Sequence, residues 1–282
     1  MAAVIRRMTP GDIPACMVLK ESAGWNQTAQ DWANVMAIEP QGCWVAEVDG
    51  VAAGSATAVC WGRDLAWIGM VLVLPEFRRR GIARALMERA MEFCRQREVS
   101  CVKLDATDMG RPLYEQFGFV EECTIERWRA DAVILPRMPQ GTPPRQPGNV
   151  SEILDVDRQA FGADRGALLR MLMGQHPQEC VALDGGFAMS RAGSNARFLG
   201  PCIAPGVESA RRLIAAVTSR YPGEPWFWDL LPDNRAAVEL ASELGFSPRR
   251  KLARMGVGAG CSGLNRAANV NLQFATSGFE YG

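Results

Sequence analysis

The chain has 282 residues, 48% of them hydrophobic and 22% charged, which is ordinary globular composition and material for two hydrophobic cores. Lys plus Arg equals Asp plus Glu at 31 each, so charge gives no reason to expect nucleic acid or an anionic membrane as partner. The apolar run Trp67–Leu74 falls far short of the ~20 residues a spanning helix needs, and the N-terminus MAAVIRRMTPGD lacks the apolar stretch of a secretory signal. A soluble cytoplasmic protein is expected.

In chain order, Ala3–Met8 reads as a short strand, and Thr9-Pro10-Gly11-Asp12 as a helix start with Asp12 a candidate cap. Ile13–Ala23 and Thr28–Ala37 read as helices. Gly42–Val48 and Val51–Trp61 flank Asp49-Gly50, a pair suited to the positive φ angles of a type I′ hairpin turn. Trp67–Val73 reads as a buried strand. Gly81–Arg97 carries Ile82, Leu86, Ala90, Met91 and Phe93 at helical spacing. Cys101–Ala106 is a further buried strand, Arg111–Phe117 a short helix stopped by Gly118, and Phe119–Trp128 a closing strand. The fold class is α/β (α+β), with a mixed, largely antiparallel sheet.

Residues 134–148, ILPRMPQGTPPRQPG, hold five prolines and two glycines. Proline removes backbone donors and blocks helix, so this stretch predicts an extended linker between units at 1–133 and 149–257. The second unit repeats the plan. Ser151–Phe161 and Ala167–Met173 read as helices, and Glu179–Leu183, Asp184-Gly185-Gly186 and Phe187–Ala192 as a hairpin. Ala196–Ile203 is a strand, Ser209–Ser219 a helix, Trp226–Leu230 a strand and Arg235–Leu244 a helix ended by Gly245. An internal duplication with a period near 130 residues follows. Residues 258–282 read as a low-charge tail, either a late strand or loosely held.

One histidine, His176, and nine cysteines without a Cys-x-x-Cys pair give no metal-site spacing. His176 reads as a loop residue, and the cysteines as buried reduced thiols.

The chemistry-bearing segment is VLVLPEFRRRGIARALMERA, residues 71–90. A strand ends at Pro75, a basic turn follows, and a helix begins near Gly81. Backbone N–H groups at such a turn have no intrahelical partner and point outward with the positive end of the helix dipole. They form an anion cradle where side chains leave room, as Gly81 and Ala83 do. Arg78, Arg79, Arg80 and Arg84 surround it with positive charge. The alternative is a solvated basic turn.

Arg78-x-x-Gly81-x-Ala83 after the strand ending at Pro75 resembles motif A of the GNAT superfamily of N-acyltransferases, Gln/Arg-x-x-Gly-x-Gly/Ala. The strand Val102–Ala106 and then Gly110-x-x-x-Tyr114-x-x-x-Gly118-Phe119 resemble its motif B, so the likeness covers about residues 3–130. The second half resembles a divergent copy, and the whole chain a tandem GNAT protein with a degenerate second domain. The resemblance implies acyl-CoA, most simply acetyl-CoA, as cosubstrate, lying in a V-shaped split beside the motif A strand. Pantetheine would pair with the backbone of Val71, Leu72 and Val73. The pyrophosphate would sit on the N–H groups of Arg79, Arg80, Gly81, Ile82, Ala83 and Arg84. Tyr114 would act as general acid toward the leaving thiolate. The implied acceptor is a small-molecule or peptide amine, with no metal.

Three departures stand out. Thr107 occupies the place of an asparagine seven residues before the motif B tyrosine. The strand Trp67-Ile68-Gly69-Met70 carries no glutamate base. The second half has Gly206-Val207-Glu208 for the basic turn and Ala241 for the tyrosine, although Asn234 keeps the older pattern. Glu21 and Asp31 are distant acids that read more simply as solvated. Trp25, Trp32, Trp44 and Trp61 fit a pocket or a core equally. The aromatic tail (Phe274, Phe279, Tyr281) either completes the second sheet or returns to the interface, where Glu280 or the Gly282 carboxylate would supply the missing base. The reading is an N-acyltransferase with one working site. A non-catalytic acyl-CoA sensor is the rival.

Overall fold

The computed structural model describes residues 3–135, 142–183 and 185–282. The first half runs β1 (Val4–Arg7), α1 (Ile13–Ser22), α2 (Ala29–Ile38), β2 (Cys43–Val48), β3 (Val51–Trp61), β4 (Leu65–Val73), α3 (Ile82–Gln96), β5 (Cys101–Ala106), α4 (Arg111–Glu115) and β6 (Val120–Ala130). The second half runs α5 (Ser151–Phe161), α6 (Gly166–Gln175), β7 (Cys180–Leu183), β8 (Gly186–Arg191), β9 (Arg197–Ile203), α7 (Val207–Thr218), β10 (Trp226–Leu230), α8 (Arg235–Glu243) and β11 (Ser247–Val257). α9 (Cys261–Ala267) and β12 (Gln273–Ala275) follow. Of the proposed linker, Pro136, Pro139 and Gly141 lie outside the described residues, as does Asp184 of the second hairpin turn. Asp49 and Gly50 have φ of 53° and 79°, as a type I′ turn requires. Among the described residues no helix is long and apolar enough to cross a membrane.

The strands form one 12-stranded sheet in the order β1-β2-β3-β4-β5-β11-β6-β10-β9-β8-β7, with β12 against β9. All neighbours are antiparallel except β4–β5 and β9–β10. The closing strands are exchanged between the halves. β11 pairs with β5, Ala253 opposite Ala106, while β6 pairs with β10, Trp226 opposite Ala130. β11 escapes a pattern reading because Arg249, Arg250 and Lys251 interrupt its apolar alternation.

α3 lays its apolar stripe, Ile82, Leu86, Met87, Ala90 and Phe93, on one face of the first-half strands with Ala56, Ala58, Val102 and Leu104. Burying each large side chain contributes roughly 1.5–3 kcal/mol. The opposite face is covered by α1 and α2, with α6 against α2 and α5 over β8 and β9, and the end of the tail buries Tyr281 fully with Trp61, Leu65 and Trp67. The tail is therefore part of the core.

The expectation that every cysteine is a reduced thiol is overturned: Cys101 and Cys261 form a disulfide. The strand exchange causes it. Val257 pairs with Val102, so the chain leaving β11 reaches the start of β5, and the two Cα atoms lie 4.8 Å apart. The other seven cysteines are free, five of them buried.

Candidate active site

β4 and β5 share register only from Leu65–Cys101 to Trp67–Lys103, and then part. The wedge beyond opens into a cleft of about 450 Å³, lined on one side by Ile68–Val73 and on the other by Leu104, Asp105 and Thr107. Within β4 the register against β3 shifts between Gly69 and Leu72, so Met70 and Val71 together face the single Ala56. Met70 has φ of 52°, and its carbonyl accepts a hydrogen bond from Ser55 Oγ at 2.8 Å. Such a bulge turns backbone groups out of the ladder toward the cleft. Val71, Leu72, Val73, Arg78, Ala83 and Tyr114 all line this space.

The turn into α3 stands at the cleft mouth. Arg79 and Gly81 have φ of 60° and 79°, and among the described residues the backbone N–H groups from Arg79 to Arg84 meet no protein acceptor. A Cβ at Gly81 would meet nothing within 4 Å, so the space over these amides is open. That is an anion cradle at a helix N-terminus. Of the flanking side chains, Arg78 Nε bonds the Val73 carbonyl, Arg80 lies over Phe77, and Arg84 bonds Gln116. Ile82 points its side chain into the core and offers only its backbone.

Tyr114 rises from α4 with its ring against Gly110, where a Cβ would come within 2.9 Å of it. A larger residue at 110 would push the ring away from this position. Burial pushes the Tyr114 phenol up to about 12, so it stays protonated at neutral pH. Thr107 Oγ1 is engaged by the Gly110 N–H, which fixes the turn.

The far wall comes from the tail. Glu280 and Phe279 line the cleft. Glu280 accepts from Arg191 Nη2 and from Gln27 Nε2, each at 2.8 Å. Asp31 accepts from Nε of the same guanidinium at 3.2 Å. All three charged side chains are nearly fully buried. Two carboxyls share one guanidinium, so by formal charge the cluster has one acid more than it has base. Burial raises the Glu280 carboxyl above the usual carboxylate range, against the opposing pull of Arg191. Asp31, expected to be solvated, is buried because α2 packs under the tail, and its Oδ2 also caps Thr28. Glu21 is exposed.

The described geometry agrees with comparisons to known proteins. Residues 14–119 match the model of the acetyltransferase (GNAT) family, and residues 153–266 match an acetyltransferase (GNAT) domain. The chain belongs to the GNAT acetyltransferase family. It is 26% identical over 187 residues to the uncharacterized N-acetyltransferase YitH of Bacillus subtilis (strain 168). That match covers 64% of this chain and spans 65% of YitH's length. The crystal structure of a proposed acetyltransferase from Pyrococcus horikoshii aligns over 100% of this chain and 96% of its own, with a TM-score of 0.85 at 20% identity. A GCN5-related N-acetyltransferase from Sphaerobacter thermophilus aligns over 91% of this chain and 95% of its own, with a TM-score of 0.66 at 17% identity. Both likenesses are of fold.

The second GNAT unit has the same split and fills it. β9 and β10 share register only from Arg197–Trp226 to Leu199–Trp228. Beyond that point β12 pairs with β9, and Thr276 N donates to the Asp229 carbonyl at 2.9 Å. Asn234 donates to the carbonyls of Val270, Asn271 and Gln273. The chain's own tail occupies this second cleft. Ala241, at the tyrosine position, is buried in the core.

Of the tryptophans, only Trp25 lines the cleft, while Trp32, Trp44 and Trp61 are core residues. His176 is half-buried in the turn after α6. Sequence reasoning missed Arg127, Arg191 and Arg250. For Arg250 a signal exists in the alternation Arg250-x-Leu252-x-Arg254, which places all three side chains on one strand face.

Proposed function

We propose that the protein transfers an acetyl group from acetyl-CoA to a primary amine, by direct attack, at one working site in residues 1–133 that the tail completes. The parting of β4 from β5 beside six free backbone amides carries this reading, because acetyl-CoA needs both an extended edge and an anion cradle. Pantetheine lies along Val71, Leu72 and Val73. The pyrophosphate takes the amides of Arg79–Arg84, helped by Arg78 and the nearby arginines. The bulge at Met70 and Val71 directs a backbone donor at the thioester oxygen, where negative charge develops. Tyr114 protonates the leaving thiolate.

An ammonium must lose its proton before it attacks. Glu280 takes that role, since its cluster has one acid more than it has base and burial raises its basicity. The void of about 10 Å³ behind it, where Gln27 Oε1 is buried without a partner, has room for one water to carry the proton onward. The sensor alternative drew its support from the absence of an acid on Trp67–Met70, and Glu280 fills that gap. The second unit serves as scaffold and acceptor wall.

The test is thiol release from acetyl-CoA with a panel of amines, with the acetylated amine identified by mass spectrometry. Amine-dependent release is expected. Tight acetyl-CoA binding with no amine-dependent release would leave the sensor as the better account.

A further inference from the structure

The charged side chains of the cleft are nearly all committed. Asp105 accepts from Nε and Nη2 of Arg254 at 2.9 and 3.0 Å. Glu280 is held by Arg191 and Gln27. Arg127 donates to both oxygens of Asp229 at 2.7 and 2.6 Å. Arg78 stands at the phosphate end, on the Val73 carbonyl.

Arg250 is the exception. It lines the cleft and is half-buried, and among the described residues its guanidinium has no hydrogen-bond acceptor or ion-pair partner. The strand exchange places it directly opposite Arg127 across β6 and β11, while Asp229 stands opposite Arg127 across β6 and β10. Opposed residues of antiparallel strands share a face, and like charges opposed there repel. The row therefore holds two guanidiniums and one carboxylate, and Arg127 has taken the carboxylate. Burial first, and the neighbouring Arg127 second, disfavour the Arg250 charge and outweigh the pull of Asp229, which is already forked to Arg127. A half-buried, unpartnered guanidinium is costly unless a ligand supplies the missing anion.

The amine end lies close by. Phe279, next to Glu280 in the chain, packs over the Arg127 guanidinium at 4.4 Å. One side of the cleft thus offers a surplus acid at Glu280, and the adjoining row offers surplus positive charge at Arg250. Resting on the acetyl-transfer reading, we propose that Arg250 selects the acceptor by binding an oxoanion on it, so the acceptor is a compact amine that also carries a carboxylate or phosphate. The fork of the guanidinium matches two oxygens of either group.

Matched acceptor pairs test this with acetyl-CoA. Amino acids are compared with their decarboxylated amines, and O-phosphoethanolamine with ethanolamine. The oxoanion-bearing member of one pair type is expected to have a kcat/KM roughly 10–100-fold higher, the range for a hydrogen-bonded charge. The two pair types separate carboxylate from phosphate. Arg250→Gln should bring that ratio near one with acetyl-CoA affinity held, and Arg250→Lys should restore part of it. Equal use of both members, or a preference that survives Arg250→Gln, overturns the assignment. Failure of every amine to release thiol overturns the transfer reading itself, and this assignment with it.

Discussion

Glu280 lies against Gly69: a Cβ at Gly69 would stand 3.1 Å from the Glu280 Cα and 3.4 Å from the Phe279 carbonyl oxygen. The strand position that carries no acid is thus the position on which the tail brings one. Trp67 Nε1 donates to the Phe279 carbonyl at 3.0 Å and Trp61 Nε1 to the Tyr281 carbonyl, which pins the tail on both sides of Glu280. Arg165 binds the Gly282 carbonyl at 2.9 Å and ties the terminal residue to α6. Phe274 and Tyr281 are buried, so removing residues 273–282 would strip the core as well as the site. A point substitution separates the two roles.

Glu280→Gln keeps the shape and the Gln27 contact but removes the base. The expected result is a kcat lowered roughly 10²–10⁴-fold with the KM for acetyl-CoA held. The carboxyl is raised from the ordinary 4.5 by burial, so the acid limb of kcat/KM should lie above pH 4.5 and vanish in the variant. The stability sign is opposite to that of a surface ion pair. An acid with a raised native value adds stability fully present below its unfolded value and lost as pH rises through the native one. The wild-type melting temperature should carry that slope and Glu280→Gln should lose it. An unchanged acid limb would remove Glu280 from the proton path.

Gly81→Glu should abolish acetyl-CoA binding. The substitution puts an anion over the amides of Arg79–Arg84, in space that holds no protein atom, at a φ of 79° that only glycine adopts freely. Calorimetry should give one site per chain for the wild type and none for the variant. Circular dichroism checks that the variant folds. Two equal sites in the wild type would mean that β12 leaves the second cleft in solution.

The legible parts of this site are local in sequence. The cradle uses backbone that Gly81 and Ala83 leave open, and both stand within one turn, so Arg78-x-x-Gly81-x-Ala83 displays it. The α3 stripe and the Asp49-Gly50 turn are legible for the same reason. The wall of the cleft around Glu280 and Arg127 depends on partners far apart in the chain, with Arg191 and Glu280 separated by 89 residues and Arg127 and Asp229 by 102. The Arg127–Asp229 pairing follows from the strand exchange and the Arg191–Glu280 pairing from the path of the tail, and no local pattern encodes either. Asp31 misled for the same reason: its helix looks amphipathic and solvated until the tail is laid over it. The tail's aromatics announced burial, and its two destinations, the second cleft for β12 and the first cleft for Glu280, both proved occupied.

Tyr114→Phe tests the acid. The ring, its packing on Gly110 and its edge contact with Phe119 remain, so acetyl-CoA affinity should hold while kcat falls roughly 10²–10⁴-fold. Because burial holds the phenol up to about 12, it gives no alkaline limb to kcat below pH 10 in the wild type. The loss should be larger with acetyl-CoA than with a thioester whose leaving thiol is more acidic, since that thiolate leaves without a proton. A uniform loss across thioesters would assign Tyr114 to positioning.

Asp229→Ala addresses the joint between the halves. Asp229 is wholly buried and Arg127 nearly so, and their fork crosses from β10 to β6, where the first half's closing strand joins the second half. Removing the carboxylate leaves Arg127 buried beside Arg250 with no anion in the row. Breaking a buried pair on one side costs about 3–5 kcal/mol. The urea midpoint should shift down accordingly with the slope unchanged. The paired change Arg127→Met with Asp229→Leu should recover most of that loss, because it removes both desolvated charges and keeps the volume. If Asp229→Ala unfolds one half before the other, giving two transitions in place of one, the fork is the element that makes the two GNAT units a single cooperative body. If the midpoint does not move, the apolar contacts of the central strands carry the joint without it.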